Sequence, residues 1–395
     1  MKNSGKITTF LLALACTLPA VLTVLYLSVL PRNRHNVTNR DFIVYWATGQ
    51  QLVHHGNPYD PVAIGRVEHA AGYTGEGAYF MRNAPWALPF ALPLSLLSPQ
   101  AAALPWSLAM LCLLAVSVRT MWKILGSPEG HLDWLGYCFP PALFCVSIGQ
   151  TSTLLLFGLV LFLRWHKTRP FAAGAALWFC TLKPHLFLPF ALILLVWIVV
   201  ERRFRILAGG IAAMAVGSMI MALVDPAAWP QYVHYMRTSG ITHEFTANLG
   251  DLLRDSIHPS WDWIAFVPAI AGCLWALAWY WHRRRRWDWI EHGSLLMLVS
   301  LVVAPFGWIF DQSLAIPAIL FAVTRAPSRA ALATLAVLYV AVEVQLFSSI
   351  RMASHAYLWT APAWLIWYLF ARITPGSSGT EQAPAAAFSM QNISH

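Results

Sequence analysis

Windows of about 20 residues with almost no charge recur along this chain, and that is the length a helix needs to cross a hydrocarbon layer about 30 Å thick. The first is TTFLLALACTLPAVLTVLYLSVL, residues 8 to 30. Backbone N–H and C=O groups find no water inside a bilayer, so long apolar runs must close their hydrogen bonds within helices. Composition agrees: 58% of the 395 residues are hydrophobic and 11% are charged, whereas soluble domains carry roughly a quarter charged residues. The chain reads as an all-α polytopic membrane protein. Its start, MKNSGKITTFLLALAC, has the basic n-region of a signal peptide, but the apolar stretch runs on to Leu30. That is too long for an h-region, and it is expected to remain as an uncleaved first span.

Apolar runs between charged or Pro-rich breaks place spans near 8–30, 100–122, 132–148, 150–163, 170–182, 185–200, 204–224, 263–282, 289–308, 312–324, 330–348 and 357–372. About twelve spans put both termini on one side. The run 84–98, APWALPFALPLSLLS, is short and holds Pro85, Pro89 and Pro93. It is expected to be a re-entrant or interfacial element on the outer face, with its broken backbone buried by protein. That choice leaves most Lys and Arg on the cytoplasmic side, including RWHKTR at 164–169, ERRFR at 201–205 and RRRR at 283–286, as the positive-inside rule requires. The net charge of +9 is therefore a topology signal, and no nucleic-acid partner is expected.

Two polar segments, 31–83 and 225–262, then face outward and mix aromatics with charges at helical spacing, as interfacial helices do. Residues 1–373 form one membrane domain, and the Ser-, Gly- and Ala-rich stretch 374–395 reads as a disordered tail. The six cysteines sit in apolar runs without a C-x-x-C pair, so neither a metal site nor a disulfide framework is expected. No inverted repeat of the transporter kind is visible.

Polar chemistry collects in RDFIVYWATGQQLVHHGNPYDP, residues 40 to 61. Asp41 precedes a helix pattern carrying Phe42, Tyr45, Trp46 and Leu52, where an Asp is a favoured N-cap. Its other reading is a carboxylate at the membrane surface available for proton transfer. Gly56, Pro58 and Pro61 end that helix in an extended turn. His54 and His55 lack a third ligand at metal spacing. Lys183, between two apolar runs, is either a functional cation or a snorkelling one. Glu343 lies inside a span and needs a neutral form or a cationic partner, which the sequence does not identify. In the second loop, His234, Arg237, His243 and Glu244 could meet an acceptor or merely face solvent.

The stretch 41–61 also resembles the first outer loop of glycosyltransferase family 87, bacterial membrane enzymes that use polyprenyl-phosphate sugars. The pattern is Asp-Phe, an aromatic pair, a small residue with Gly, then Gly-Asn-Pro-Tyr. YFMRNAPWALPFALPLSLLS resembles the family's Pro-punctuated segment, with Arg82-Asn83-Ala84-Pro85 in place of Tyr-Pro-Pro. SIGQTSTLLLFGLVL is similar to its Gly-Gln element, with Thr151-Ser152 where Asn is common. GAALWFCTLKPHLFLPFALILL is similar to its small-residue helix ending in Lys-Pro. Together these motifs cover roughly residues 8 to 325.

The resemblance implies a C-type glycosyltransferase fold. It also implies inverting transfer of a hexose, mannose first, from a polyprenyl-monophosphate donor to a lipid or glycan acceptor, in cell-envelope glycolipid biosynthesis. No cofactor or metal is implied. The location would be the bacterial inner (plasma) membrane, with the site facing the periplasm or exterior. Asp41 would be the general base; Lys183, Arg82, Gln150 and His185 would bind donor phosphate or sugar. His55, Asp311 and His243 would serve the acceptor or a secondary role. Family relatives often have His near Trp308, and here Asp311 follows instead. The contrasting reading is a polytopic transporter or lipid-linked sugar flippase with Lys183 and Glu343 on its path; a catalytically dead assembly subunit is a third.

Overall fold

The computed structural model describes residues 2–29, 37–38, 40–79, 81–238, 245–325, 327–348 and 350–374. The described residues are all helical in their regular structure. Five helices are long and apolar enough to cross a membrane: Ile7–Val29, Pro99–Ile124, Phe204–Val224, Asp262–Arg286 and Arg329–Leu346. Shorter apolar helices lie between them, among them Trp134–Ile148, Ser152–Trp165, Pro170–Leu182, Pro184–Val200, Glu291–Val303 and Ile309–Val323. The apolar runs of the sequence thus correspond closely to helices. Several that look continuous in sequence, however, are jointed.

The joints have local causes. Trp134–Tyr137 and Pro140–Ile148 are separate helices, because Pro140 and Pro141 supply no N–H to continue a ladder through Phe139. Leu177–Leu182 and Pro184–Phe187 are 3-10 turns on either side of Lys183, whose φ of −137° and ψ of 69° break the helix before Pro184, as residues preceding proline tend to do. Ile309–Ala315 is a 3-10 segment leading into the Ile316–Val323 helix. The joints at Lys183 and Ile309–Ala315 bring two charged side chains together, with Lys183 Nζ 2.7 Å from Asp311 Oδ1.

The Pro-punctuated run forms a 3-10 helix, Pro85–Leu96, with Pro89 and Pro93 inside it. Three residues lacking N–H at four-residue intervals prevent an uninterrupted α ladder. It packs against Phe204–Val224 on one side and Phe42–Val53 on the other. The latter helix departs from its expected interfacial character. Phe42 through Gly49 and Leu52 are all buried, because its apolar residues go all the way round rather than along one stripe. Trp46 Nε1 donates to the Leu97 carbonyl at 2.9 Å and Gln50 Nε2 to the Ser95 carbonyl at 2.9 Å. In the second loop, Ala228–Thr238 keeps a largely exposed surface, with Ala228 and Tyr235 buried.

Capping follows the sequence in several places. The side chains of Asp60, Ser98 and Ser328 accept from Val62, Ala101 and Ala331 N–H groups, which satisfies first-turn donors. Thr374 is held by its carbonyl, which accepts from Ser328 N–H at 2.9 Å; the rest of the expected C-terminal tail lies outside the described residues. Glu343 is buried and has no ion-pair partner among the described residues.

Candidate active site

Four helix joints converge on one connected polar cluster. It holds Asp41 from the segment after the first span, Gln150 from the break between Pro140–Ile148 and Ser152–Trp165, Lys183 from its joint, and Asp311 from the Ile309–Ala315 turn. Gln150 Nε2 donates to Asp41 Oδ2 at 2.7 Å. Gln150 Oε1 accepts from the Tyr45 hydroxyl at 2.8 Å and from Lys183 Nζ at 3.2 Å. Lys183 can only donate and ionised Asp41 can only accept, so the amide has a single consistent orientation.

Lys183 Nζ then reaches Asp311 Oδ1 at 2.7 Å, with the Phe310 ring 4.6 Å from the ammonium. Asp311 is 2% exposed. Its Oδ1 also accepts from Ser152 Oγ at 2.6 Å, and its Oδ2 accepts from Trp308 N–H at 3.0 Å. A buried carboxylate with three donors, one of them a cation, is fully satisfied.

Asp41 occupies an N-cap position, but its side chain does not cap. Its φ of −58° and ψ of −21° lie in the helical region and it makes no side-chain cap bond, whereas capping residues hold an extended backbone. The N-cap reading of Asp41 is thereby overturned. The residue is partly exposed. Burial pushes its carboxyl above the usual range, opposed by the Gln150 hydrogen bond and by the charges of Lys183 and Arg40. A raised carboxyl is a stronger proton acceptor once ionised.

Gly149 allows this approach. Its φ is +78°, and a Cβ there would stand 2.7 Å from Phe42 Cβ, so a side chain would meet both strain and collision. Trp106 Nε1 donates to the Gly149 carbonyl at 2.8 Å, fixing the turn that delivers Gln150. The Gly-Asn-Pro-Tyr turn has a related structural task. Tyr59 donates to the Asn83 carbonyl at 2.9 Å, and Asn83 Nδ2 donates to the Leu182 carbonyl at 2.6 Å. The first loop is thus strapped to the residue before Lys183, and Arg82, exposed, stands beside that strap.

His185 is partly exposed and packs edge-on against Phe306, centroids 6.0 Å apart. His55 is not brought to the cluster. It is exposed with φ 53°, at the far end of the Phe42–Val53 helix, roughly 20 Å from Asp41 at 1.5 Å per residue. His243, with Glu244, lies outside the described residues. No group of metal-ligand side chains occurs among the described residues.

Sequence reasoning passed over Arg40, which is 3% exposed and donates through Nη2 to Ser107 Oγ at 3.0 Å and to the Val146 carbonyl at 3.1 Å. Burial brings its guanidinium down to about 10. An Arg next to Asp41 was the available signal, but only tertiary packing shows that it is buried. Tyr45 and Ser152 were likewise quoted without a role.

The basic clusters stand at the other end of the bundle. Ser152–Trp165 begins at the site and is followed by Lys167, which pairs with Asp288 at 3.0 Å, just after Arg284–Arg286. A helix of that length separates the two levels by about 20 Å.

No curated protein and no solved structure matches this chain. A family model, Glycosyltransferase family 87, matches residues 80–305. That span contains Arg82, Gln150, Lys183 and His185 and begins after Asp41. With more than half of its length matched and with apolar helices throughout, the chain is a membrane protein that belongs to glycosyltransferase family 87.

Proposed function

We propose that the protein transfers a hexose, mannose first, from a polyprenyl-monophosphate donor to a lipid or glycan acceptor, with inversion, in a C-type glycosyltransferase fold of about twelve spans. The observation that carries the reading is the Asp41–Gln150–Lys183 relay of hydrogen bonds. It sets a carboxylate and an ammonium roughly 8 Å apart at most, the width of one amide between two hydrogen bonds. Laid against the Gln150 amide, an anomeric carbon flanked by the attacking hydroxyl and the departing phosphate oxygen matches that spacing.

Asp41 takes the proton of the acceptor hydroxyl as its oxygen bonds to the anomeric carbon. The bond from that carbon to the phosphate oxygen breaks, and its electron pair leaves with the polyprenyl phosphate. One carboxylate suffices for a single inverting displacement of a phosphate leaving group. Lys183 stabilises the charge that develops on the phosphate, with Arg82 and His185 beside it. Asp311 and Ser152 hold Lys183 in place, and Gln150 holds Asp41. The location of the Arg clusters at the opposite level supports a site facing the periplasm or exterior of a bacterial inner membrane.

The test is incubation of purified protein with a panel of polyprenyl-phosphate sugars, scoring radiolabelled sugar transferred or released. Asp41→Asn is expected to abolish transfer while the protein still inserts and elutes as a single species. Full activity of that variant would remove the assigned base. Solute uptake by proteoliposomes without a lipid donor would favour a transporter or flippase instead.

A further inference from the structure

Arg40 is buried beside the site, and the proposed reaction gives it no part. Its Nη2 donates to Ser107 Oγ in the Pro99–Ile124 helix and to the Val146 carbonyl in the Pro140–Ile148 helix. The Tyr26 ring of the first helix lies 5.8 Å from its Cζ. None of these partners carries a full charge. The other two guanidinium nitrogens, Nε and Nη1, have no hydrogen-bond partner, and Arg40 makes no direct ion pair, among the described residues. A cation withdrawn from water with only neutral partners is costly, so this one calls for an anion nearby. The next residue in the chain is Asp41, and each of the two charges favours the charged form of the other.

The contacts of Arg40 also join two parts of the site. The Val146 carbonyl is among the last four of its helix, where peptide dipoles leave partial negative charge. Gly149 follows, and a Cβ added there would lie 3.4 Å from Arg40 Nη2; Gln150 comes next. On the other side, the Arg40 carbonyl accepts from Ile43 N–H at 2.9 Å, at the start of the Phe42–Val53 helix. One residue thus ties the segment bearing Asp41 to the helix end that delivers Gln150, the donor to Asp41 Oδ2.

Charge balance gives Arg40 a second task. Asp41 and Asp311 are two carboxylates in one connected cluster, and Lys183 pairs directly with Asp311 at 2.7 Å. With Lys183 as the sole cation the cluster would be net negative, which favours protonation of a carboxylate. A carboxyl that already holds a proton cannot take one from an acceptor hydroxyl. Arg40 brings the formal sum to zero. The other titratable groups that face Asp41, the phenols of Tyr26, Tyr45, Tyr73 and Tyr79, are uncharged at neutral pH.

Resting on the transfer reading above, we infer that Arg40 is the positioning residue of the candidate base: it clamps the Asp41 segment to the helix end carrying Gln150 and supplies the second positive charge that keeps Asp41 ionised.

The experiment uses the full-length protein and compares wild type, Arg40→Gln, Arg40→Lys, Asp41→Asn and the Arg40→Gln/Asp41→Asn double variant. Sugar transfer across a pH series should show the acidic limb of Arg40→Gln displaced upward by about one pH unit, with about tenfold less activity below the limb and donor KM moved less than twofold. Arg40→Lys, which keeps the charge and a donor nitrogen, should hold the limb at its wild-type position. In thermal-shift measurements the double variant should lose less than the sum of the two single losses, because Asp41→Asn alone strands a buried cation. An unmoved limb in Arg40→Gln, an equal displacement in Arg40→Lys, or strictly additive thermal losses would each overturn the inference. Where Arg40→Gln does not elute as a single species, Arg40→Lys decides alone: a wild-type limb supports the inference and a displaced limb overturns it. Thermal coupling between Arg40 and Asp41 in a wild-type protein that transfers no sugar would instead overturn the transfer reading.

Discussion

Replacing Gln150 with alanine separates the chemistry from the scaffold more sharply than removal of Asp41 itself. Gln150 is not expected to exchange a proton, yet among the described residues it is the one side chain bonded to both Asp41 and Lys183. Its loss removes a donor to a carboxylate and an acceptor to an ammonium, interactions worth about 1.5–3 kcal/mol each when one partner is charged. Asp41 then has no side-chain donor in the described structure. A shift of about 1 Å in a reacting group costs on the order of 10²-fold, and a general base contributes about 10²–10⁴-fold in all. The expected loss in kcat/KM is therefore about 10²-fold, below that of Asp41→Asn. The pH profile provides a second readout. The Gln150 bond favours ionised Asp41 and partly offsets the rise caused by burial, so its removal raises the carboxyl further. Asp41 must be ionised to accept a proton, and the acidic limb of activity moves to higher pH. Asp41→Asn should cost more than Gln150→Ala, because Gln150 acts only through the groups it holds. Radiolabelled sugar transfer across a pH series measures both the loss and the position of the limb. Full activity of Gln150→Ala with an unmoved acidic limb would refute the reasoning.

Three further outcomes follow from the same contacts. Asp311→Ala leaves Lys183, whose side chain is 15% exposed, without its carboxylate, and should destabilise the protein by about 3 kcal/mol in thermal-shift measurements; Lys183→Met in the same background should recover part of that loss but not transfer. Tyr59→Phe removes the bond to Asn83 and should lower stability by about 1 kcal/mol, with donor KM rising because the strap to Lys183 loosens. Burial pushes Glu68, a buried carboxyl that accepts from Tyr79 N–H at 3.0 Å, up to about 8 from 4.5, so the folded loop over residues 72–79 keeps a proton that the unfolded chain has released. Its stabilising contribution is complete below about pH 4.5, falls as pH rises toward 8 and then levels off. Limited proteolysis within residues 72–79 should accelerate over that window, and Glu68→Gln should flatten the dependence.

Much of the site was legible because membranes make polar residues conspicuous. Lys183 stands out between apolar runs on solvation cost alone, and Gln150 follows a Gly that marks a helix end. What linear spacing could not show is that Gln150 is hydrogen-bonded both to Lys183, 33 positions away, and to Asp41, 109 positions away. Asp41 illustrates the limit: local sequence favours a cap, and only the approach of Gln150 across the bundle reveals a carboxylate turned away from its own helix. Arg40 was missed for a similar reason, since an exposed and a buried Arg read alike in sequence. His55 failed in the opposite direction. It shares the polar stretch with Asp41, but a helix carries it to the far end.

Hydrophobicity by itself determined that the chain is a helical membrane protein and where most helices begin and end, because unsatisfied backbone groups and charges are too costly in hydrocarbon to be placed otherwise. The joints at Phe139, Lys183 and Ile309–Ala315, the burial of Phe42–Gly49, and the convergence of Asp41, Gln150, Lys183 and Asp311 were decided only in three dimensions. A hydrogen bond depends on the distance between two groups, and that distance is set by how helices pack, which no single helix's sequence contains.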